Sequence, residues 1–404
     1  MPQSYIPPSA KLRSSDRTIF SIHAHRDADR LQSTLSGDGR SAIRTDVARM
    51  DGFVSEAGRA QPHTGPVSGG RQHASGSWHS DGGDIGPLGG KSGDRGPCFD
   101  ATVEPNGYAW WYVDAISDNG QHGLTIIAFI GSVFSPYYAS ARRRGPADPH
   151  NYSAFNVAIY GQRSKHWALT ERRKTSLFRN ARQLVVGESS MSWSADALTI
   201  EVAELAIPRF SKLRGRIHLY PSALTGCNIT LDADGRHRWR PIAPRARVDV
   251  QMEQPRLRWR GSGYFDTNTG TAPLEDDFKT WTWSRADLED GAAVLYDVIR
   301  RRGEPLSVAL RFDDAGNHED FTPPSEVSLP STGWRIDRRT RSEDAGNTTI
   351  LRTCEDTPFY ARSVVASHLF GARRQSMHES LSLDRFRTRW VQTLLPFRMP
   401  RAPR

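Results

Sequence analysis

The sequence YAWWYVD at residues 108–114 and the sequence LTIIAFI at residues 124–130 flank a turn-forming segment, SDNG at residues 117–120. Both runs are rich in β-branched and aromatic residues, and an Asn-Gly pair favours a tight turn between antiparallel strands. Similar short runs continue to residue 365, separated by Gly, Pro, Asp and Asn. Because no alternation of strand and helix patterns is visible, the sequence predicts an all-β fold of sandwiches or barrels.

The first 95 residues differ in composition from the rest of the 404-residue chain. Between residues 51 and 95, 12 of 45 positions are Gly, and apolar residues occur singly, without strand or helix periodicity. Such a segment cannot bury enough apolar surface to offset the conformational entropy that it would lose on ordering. The sequence therefore predicts a disordered extension over residues 1–95, consistent with the low mean hydropathy of −0.59 for the whole chain.

The charge of the chain gives little support to nucleic-acid binding. There are 54 basic and 45 acidic residues, a net charge of +9, and 48 of the basic residues are Arg. These Arg residues are scattered along the chain, and no nucleic-acid-binding module is recognisable, so nucleic acid is not a predicted partner. A membrane surface or another acidic partner stays compatible with this charge.

The three cysteines, Cys98, Cys227 and Cys354, are far apart and odd in number. They exclude a disulfide framework and a zinc site with four thiolates. No run of 18 apolar residues occurs, and residues 1–15 lack the apolar core of a signal peptide. The sequence therefore predicts a reduced, non-secreted protein without a membrane-spanning helix.

One segment near the C-terminus has helical periodicity, from Ser380 to Leu395. Its apolar residues fall on one side of a helix, and its basic residues fall mainly elsewhere. The apolar set is Leu383, Phe386, Trp390, Val391 and Leu394, and the basic set is Arg385, Arg387 and Arg389. This pattern predicts a basic amphipathic helix, which either packs over a barrel or lies at an anionic membrane surface.

The residues that carry candidate chemistry lie in two β-rich stretches, HRW at 237–239 and GSGYFDTN at 261–268. On a strand, His237 shares a face with Trp239, and Tyr264 shares a face with Asp266. If the two strands are neighbours, one cavity wall carries an imidazole, an indole, a phenol and a carboxyl. The structural alternative is that the first pair are ordinary sheet residues and that Asp266 shapes a turn.

These stretches resemble the carotenoid 1,2-hydratase (hydroxyneurosporene synthase) family. The resemblance is carried by PNGYAWWYVD at 105–114, GLTIIAFIGSVFSPYY at 123–138, both stretches of candidate residues, and LRTCEDTPFYAR at 351–362. These long motifs are specific, and together they cover roughly residues 97–395, by the order of the motifs. The first 95 residues fall outside the resemblance, as their composition suggests.

The resemblance implies an acyclic-carotenoid hydratase of phototrophic bacteria. Such an enzyme adds water to the terminal double bond of neurosporene or lycopene, gives a tertiary alcohol and needs no cofactor. The implied fold is two lipocalin-like (calycin-type) β-barrel or sandwich domains, which we place at residues 96–272 and 273–378, with a C-terminal helix and tail at 379–404. Because the substrate is insoluble in water, we expect peripheral membrane contact, on the cytoplasmic side.

The resemblance places His237, Trp239, Tyr264 and Asp266 at candidate catalytic positions. Hydration of an alkene needs a proton on carbon, and a carboxylic acid in an apolar cavity has a raised pKa and can supply that proton. Asp266 is the predicted donor. Tyr264 or His237 would hold it, re-protonate it or orient the water, and Trp239 would face the cation.

Three adjacent aromatic residues, Trp110, Trp111 and Tyr112, are the predicted substrate-binding residues, although such a run is also typical of a core. Two other functions stay open. One is a non-catalytic lipocalin-like carrier of an apolar polyene, which would have no use for a carboxyl in its cavity. The other is a related polyene cyclase or isomerase, which product mass would distinguish because only hydration adds a water.

Overall fold

The computed structural model describes residues 96–162, 164–195 and 197–402, which belong to one compact unit. The predicted disordered extension, residues 1–95, lies outside the described residues. Most of the described chain forms antiparallel strands, and the prediction of an all-β fold is confirmed.

The first sheet has twelve strands and closes almost into a barrel. In the sheet the order is β4-β3-β2-β1-β12-β11-β9-β8-β7-β6-β5, with β10 paired to β11. The Ile207 amide donates to the Trp167 carbonyl at 3.1 Å, which joins the end of β8 to β4. The strands are β1 Tyr108–Ser117, β2 Gly123–Ile130, β3 Ser153–Tyr160, β4 Lys165–Arg172, β5 Leu177–Asn180, β6 Gln183–Val186, β7 Ser189–Ser194, β8 Ala197–Ala206, β9 Ser211–Pro221, β10 Ile229–Thr230, β11 His237–Gln254 and β12 Leu257–Gly270.

The second sheet has seven strands in the order β16-β15-β14-β13-β21-β20-β19, and β17 pairs with β18 as a separate ribbon. The predicted boundary between residues 272 and 273 falls in the short connection between the two sheets, and the division into two β domains stays a prediction. The strands are β13 Phe278–Leu288, β14 Gly291–Arg300, β15 Leu306–Asp313, β16 His318–Asp320, β17 Glu326–Leu329, β18 Arg338–Arg341, β19 Thr349–Asp356, β20 Tyr360–Leu369 and β21 Ala372–Ser382.

The β1–β2 hairpin forms where its sequence predicts it. The Gly120 amide donates to the Ser117 carbonyl at 2.8 Å, and Gly120 has a φ of +67°. This left-handed conformation explains the glycine at that position. Along β1, successive side chains then enter two different cores, because a strand alternates its faces.

The described part of the chain has four short α-helices, and none is long and apolar enough to span a membrane. They are α1 Pro136–Arg142, α2 Leu274–Asp277, α3 Leu383–Phe386 and α4 Arg389–Arg398. The predicted helix from Ser380 to Leu395 begins too early and is not continuous. Residues 380–382 end β21, and a break after Phe386 separates α3 from α4.

The apolar residues of this C-terminal segment are therefore not on one common face. Leu383, Phe386 and Val391 are buried, whereas Trp390 and Leu394 are exposed. Within α4 the buried face carries Val391 and Leu395, one residue along from Trp390 and Leu394, and α3 is a separate helix, so the predicted single stripe does not form.

Candidate active site

The candidate residues are brought together by the pairing of β11 with β12. In this antiparallel register Trp239 lies opposite Asn268, and Asp266 lies opposite Pro241. Trp239 is therefore the diagonal neighbour of Asp266 on one face of the sheet, and Tyr264 is its neighbour along β12. The predicted common wall of indole, phenol and carboxyl forms because both strands alternate in phase.

Asp266 is buried, and its two carboxyl oxygens have different surroundings. Trp239 Nε1 and the Tyr264 hydroxyl both donate to Oδ2, each at 2.9 Å. The other oxygen, Oδ1, is buried and has no hydrogen-bond partner among the described residues. In a protonated carboxyl, this arrangement places the hydrogen on Oδ1, because Oδ2 already accepts two donors.

The environment of Asp266 favours its neutral form. Burial raises the pKa of this carboxyl well above its ordinary value, although the hydrogen bonds from Trp239 and Tyr264 act in the opposite direction. The nearby carboxyls of Glu379 and Asp114 raise the pKa further. Burial also raises the pKa of the Tyr264 phenol, so that this side chain remains a hydrogen-bond donor. Burial therefore shifts Asp266 towards its protonated form, the form that can donate a proton.

His237 lies on the same strand face but not in contact with Asp266. The Tyr108 hydroxyl lies 2.9 Å from its Nδ1, and Asp277 Oδ2 lies 2.7 Å from its Nε2. These partners assign an Nε2–H donor and an Nδ1 acceptor. Burial lowers the pKa of the imidazole, whereas Asp277 raises it. Because both nitrogens are occupied, the contacts of His237 tie β11 to α2 and orient Tyr108.

Gly270 lies opposite both Tyr108 and His237 in the sheet, at a position that has no room for a larger side chain. A Cβ at that position would lie 2.4 Å from the Tyr108 ring and 2.8 Å from His237 Nδ1. The Tyr108 ring in turn stacks on Trp110, with centroids 4.9 Å apart. Trp110 lines a cavity, so the contacts of His237 support the wall of that cavity through the Tyr108 and Trp110 rings.

An apolar cavity of about 350 Å³ lies beside the Asp266 site. Trp110 and Tyr112 line it from β1. Tyr112 is the register partner of Asp266, and Asp266 itself is not among the lining residues. Trp111 is not among the lining residues. Its ring packs against Phe99 on the opposite face, and its Nε1 donates to the Pro97 carbonyl at 2.8 Å. Two of the three predicted substrate-binding residues therefore face the cavity, and the third is in the core of the first barrel.

A buried charged cluster forms the polar part of the cavity wall, and sequence analysis assigned it no role. Arg362 Nη1 donates to Glu355 Oε1 at 3.0 Å and to the Tyr160 hydroxyl at 2.7 Å, and the same hydroxyl contacts Glu355. Arg362 Nε and Nη2 donate to Glu379 Oε1 at 3.0 and 2.7 Å. The available signal was the EDTPFYAR run at 355–362, which contains two of these residues.

Several polar atoms around the cavity have no partner among the described residues. They include the hydroxyls of Tyr112 and Tyr360 and Nε1 of Trp283. Unpaired polar atoms are costly in a folded interior, so a cluster of them beside a cavity indicates a site that receives a polar molecule. The described residues contain no group of three or more His, Cys, Asp or Glu that could hold a metal ion, and Cys227 and Cys354 are buried, free thiols.

Comparison with known proteins agrees with this picture. The family model of the carotenoid hydratase CrtC matches residues 126–404. A relative from Thiocapsa roseopersicina named acyclic carotenoid 1,2-hydratase is 51% identical over 376 residues, 93% of each chain. Relatives with the same name come from Rubrivivax gelatinosus, 44% identical over 97% of each chain, and from Cereibacter sphaeroides, 40% identical over 69% of this chain and 98% of the relative.

Proposed function

Because the chain belongs to the acyclic carotenoid 1,2-hydratase family, we propose that it adds water across the terminal C1=C2 bond of acyclic carotenoids such as neurosporene and lycopene. It is an enzyme of the hydro-lyase class. The observation that carries the mechanism is Asp266, a buried carboxyl with a raised pKa and one oxygen free of partners.

In the proposed mechanism, Asp266 Oδ1 transfers its proton to C2 of the alkene. The π electrons form the new C–H bond and leave the positive charge on C1, a tertiary carbon. Water oxygen then forms a bond to C1 and loses a proton, which gives a tertiary alcohol. No cofactor takes part in this sequence, because protonation and water addition involve no redox step.

The hydrogen bonds to Oδ2 assist the proton transfer. As Asp266 becomes a carboxylate, the bonds from Trp239 Nε1 and the Tyr264 hydroxyl become charge-assisted and therefore stronger. Stabilisation that increases in the transition state lowers the barrier. Trp239 thus acts on the acid directly, in addition to the predicted contact of its ring with the cation.

The alkene has to pass Tyr112 to reach Oδ1, because Tyr112 lines the cavity and its register partner Asp266 does not. The Tyr112 hydroxyl has no hydrogen-bond partner in the described residues, so no such bond opposes rotation of this ring. Its ring also contacts Trp283 and Tyr264, with centroids 5.5 and 6.2 Å apart. These electron-rich faces lie where a cation beside Asp266 needs stabilisation.

Isotope incorporation tests this proposal. Purified protein is incubated with neurosporene or lycopene in deuterated water, and the product is analysed by mass spectrometry and NMR. We expect addition of one water and one deuterium on C2, because protonation there leaves the charge on tertiary C1. Product without deuterium at C2 contradicts the cationic mechanism. An isomer or a ring without added water supports the cyclase or isomerase alternative, and binding without turnover supports a carrier.

The proposal includes peripheral contact with a membrane, from which the enzyme takes its substrate. The cavity lining includes exposed apolar side chains of α4, among them Leu394 and Phe397, the latter with 78% of its surface exposed. Trp334 and Trp390 are also exposed and stack on each other 6.2 Å apart, with Arg385 over the Trp390 ring. Exposed aromatic residues with flanking Arg suit the interface of an anionic bilayer.

Flotation with phospholipid vesicles tests membrane contact. We expect co-flotation with vesicles rich in phosphatidylglycerol, reduced by Phe397→Asp through loss of apolar insertion and by Arg389→Glu at low salt through charge repulsion. Phe178→Asp changes an exposed aromatic residue outside the cavity lining and serves as the matched control. Flotation that all three variants leave unaltered contradicts the proposal and makes α4 a structural cover of the cavity.

A further inference from the structure

The reaction proposed above leaves one proton without an acceptor. When water adds to the C1 cation, its oxygen must lose a proton. Asp266 has given its own proton to C2, and its carboxylate stays bonded to Trp239 and Tyr264. A separate acceptor beside the water would take the second proton. The cavity wall carries three carboxyls, Glu355, Asp356 and Glu379. We propose that Glu379, held by Arg362, is the general base that accepts the proton from the attacking water; this inference rests on the proposed hydration.

The position of Glu379 in the second sheet places it near the Asp266 site. On β21, Glu379 lies opposite Trp283 on one side and opposite Arg362 on the other. The Trp283 ring contacts the ring of Tyr264, with centroids 5.0 Å apart, and Tyr264 donates to Asp266. Glu379 itself lines the cavity. The proposed base therefore lines the cavity from the second sheet, and its strand neighbour Trp283 connects it through Tyr264 to the acid on the first sheet.

The contacts with Arg362 leave one oxygen of Glu379 available. Both bonds from the guanidinium, at 3.0 and 2.7 Å, end on Oε1, and Oε2 accepts no hydrogen bond from the described residues. A guanidinium that fixes one oxygen sets the orientation of the carboxylate. Oε2 can then accept a hydrogen bond from a water in the cavity, the geometry that a general base requires.

Two unpartnered polar groups lie beside this carboxylate. The Tyr360 hydroxyl lines the cavity, and the Arg362 guanidinium lies over its ring, 5.2 Å from the centroid. Nε1 of Trp283, the register partner of Glu379, is also without a partner in the described residues. A buried water needs two to four polar partners, and the groups around Glu379 can supply them.

The step balances without any further reactant. A lone pair of the water oxygen forms the C1–O bond, one O–H bond of that water breaks, and its proton passes to Glu379 Oε2. After addition Asp266 is a carboxylate and Glu379 is an acid. Exchange of one proton with solvent at each group restores the starting state, so neither oxidant nor metal is consumed.

Glu355 provides a matched control, because it is the other carboxylate bound by Arg362. Its Oε1 already takes the Arg362 bond and the contact from the Tyr160 hydroxyl. It lies on β19, the edge strand of the second sheet, whereas Glu379 is on β21 beside β13 and its Trp283. Glu355→Gln and Glu379→Gln remove the same charge from the same guanidinium, and only the second removes the proposed base.

The experiment measures hydration by the full-length chain and by Glu379→Gln, Glu355→Gln and Glu379→Ala, the last with and without sodium formate. We expect Glu379→Gln to lower kcat about 100-fold or more with KM little changed, as for loss of a general base, and Glu355→Gln to lower it less than about tenfold. Formate should restore part of the activity of Glu379→Ala, because a small carboxylate replaces the missing base and a merely structural role would not respond.

A kcat of Glu379→Gln within about threefold of wild type overturns the inference, as does an equal loss in Glu355→Gln or no response of Glu379→Ala to formate. If Glu379→Gln fails to fold, Glu379→Asp is measured instead, and it should keep more activity than Glu379→Ala. The two proposals fail differently. A wild-type chain that forms no hydrated carotenoid rejects the proposed function, whereas normal hydration by both wild type and Glu379→Gln rejects only the base.

Discussion

The two faces of the first sheet are built from neighbouring residues but have opposite character. Trp111 and Phe265 enter a core that is formed mainly by apolar side chains. One residue along each strand, Tyr112 and Asp266 face the other way, among aromatic rings, a buried carboxyl and unpartnered polar atoms. Both faces are equally inaccessible to solvent, so burial alone does not distinguish them.

The difference shows which residues the fold needs and which it tolerates. An apolar core stabilises the sheet by removing surface from water, and the first face is held together mainly by this effect. A buried carboxyl costs free energy unless it is paired or neutral, and Asp266 gains no stability that an apolar residue would not exceed. Buried polar groups that do not stabilise the fold therefore indicate which face is functional.

Replacement of Asp266 should give the largest effect of any change on either face. Asp266→Asn keeps the size and the acceptor for Trp239 and Tyr264 but removes the acid, so kcat should fall by about 10²- to 10⁴-fold. Substrate affinity should change little, because the apolar cavity wall provides most of the binding. Steady-state hydration assays and a carotenoid-binding titration measure the two effects.

The control for this change is Phe265→Leu, one residue away on the other face. It should lower the free energy of unfolding by about 1–2 kcal/mol and leave kcat per folded molecule unaltered. Near-normal turnover by Asp266→Asn would remove this residue from the mechanism, and a comparable loss of turnover in Phe265→Leu would show that the two faces are not separate.

The adjacent tryptophans of β1 should separate stability from binding. Trp111→Ala removes a fully buried ring and should cost about 3–5 kcal/mol of unfolding free energy, with KM of the surviving folded protein unchanged. Trp110→Ala opens the cavity wall and should raise KM instead, with a smaller loss of stability because its ring already borders empty space. Denaturant unfolding and KM are measured on both variants, and a raised KM in Trp111→Ala contradicts the assignment of faces.

The parts of this picture that follow from the sequence are those set by local rules. The β1–β2 turn comes from its Asn-Gly pair, and the common face of Trp239, Tyr264 and Asp266 comes from strand alternation. The same alternation places Trp111 on the opposite face of β1 from Trp110 and Tyr112. The prediction that all three aromatic residues bind the substrate did not take this alternation into account. The catalytic roles of the four predicted residues stay predictions.

The remaining contacts depend on pairings that no local pattern contains. His237 bonds to Asp277, 40 residues away on α2, and Arg362 bonds to Tyr160, 202 residues away in the other sheet. These partners are fixed by how the two sheets pack, which a single sequence does not specify. The C-terminal helix was misplaced because residues 380–382 follow the pairing of β21 rather than their own helical pattern.

The smallest predicted effect concerns pH and also compares the two faces. The pKa of Asp266 is raised by burial, so the folded state binds this proton more tightly than the unfolded state does. The corresponding stability is fully present below the unfolded pKa and is lost as pH rises through the folded pKa. Asn does not titrate, so the Tm of Asp266→Asn should exceed that of wild type by a margin that grows with rising pH.

Other buried carboxyls titrate as well, among them Glu171, whose pKa burial raises to about 7. They are present in both proteins, so the contribution of each carboxyl that does not interact with Asp266 cancels in the difference between the two Tm values. The Tm difference between wild type and Phe265→Leu should instead stay constant with pH, because neither side chain titrates. Calorimetry from pH 4 to pH 9 provides both differences. A flat difference for Asp266→Asn would mean that Asp266 is ionised in the folded state, and a carboxylate there has no proton to give to an alkene.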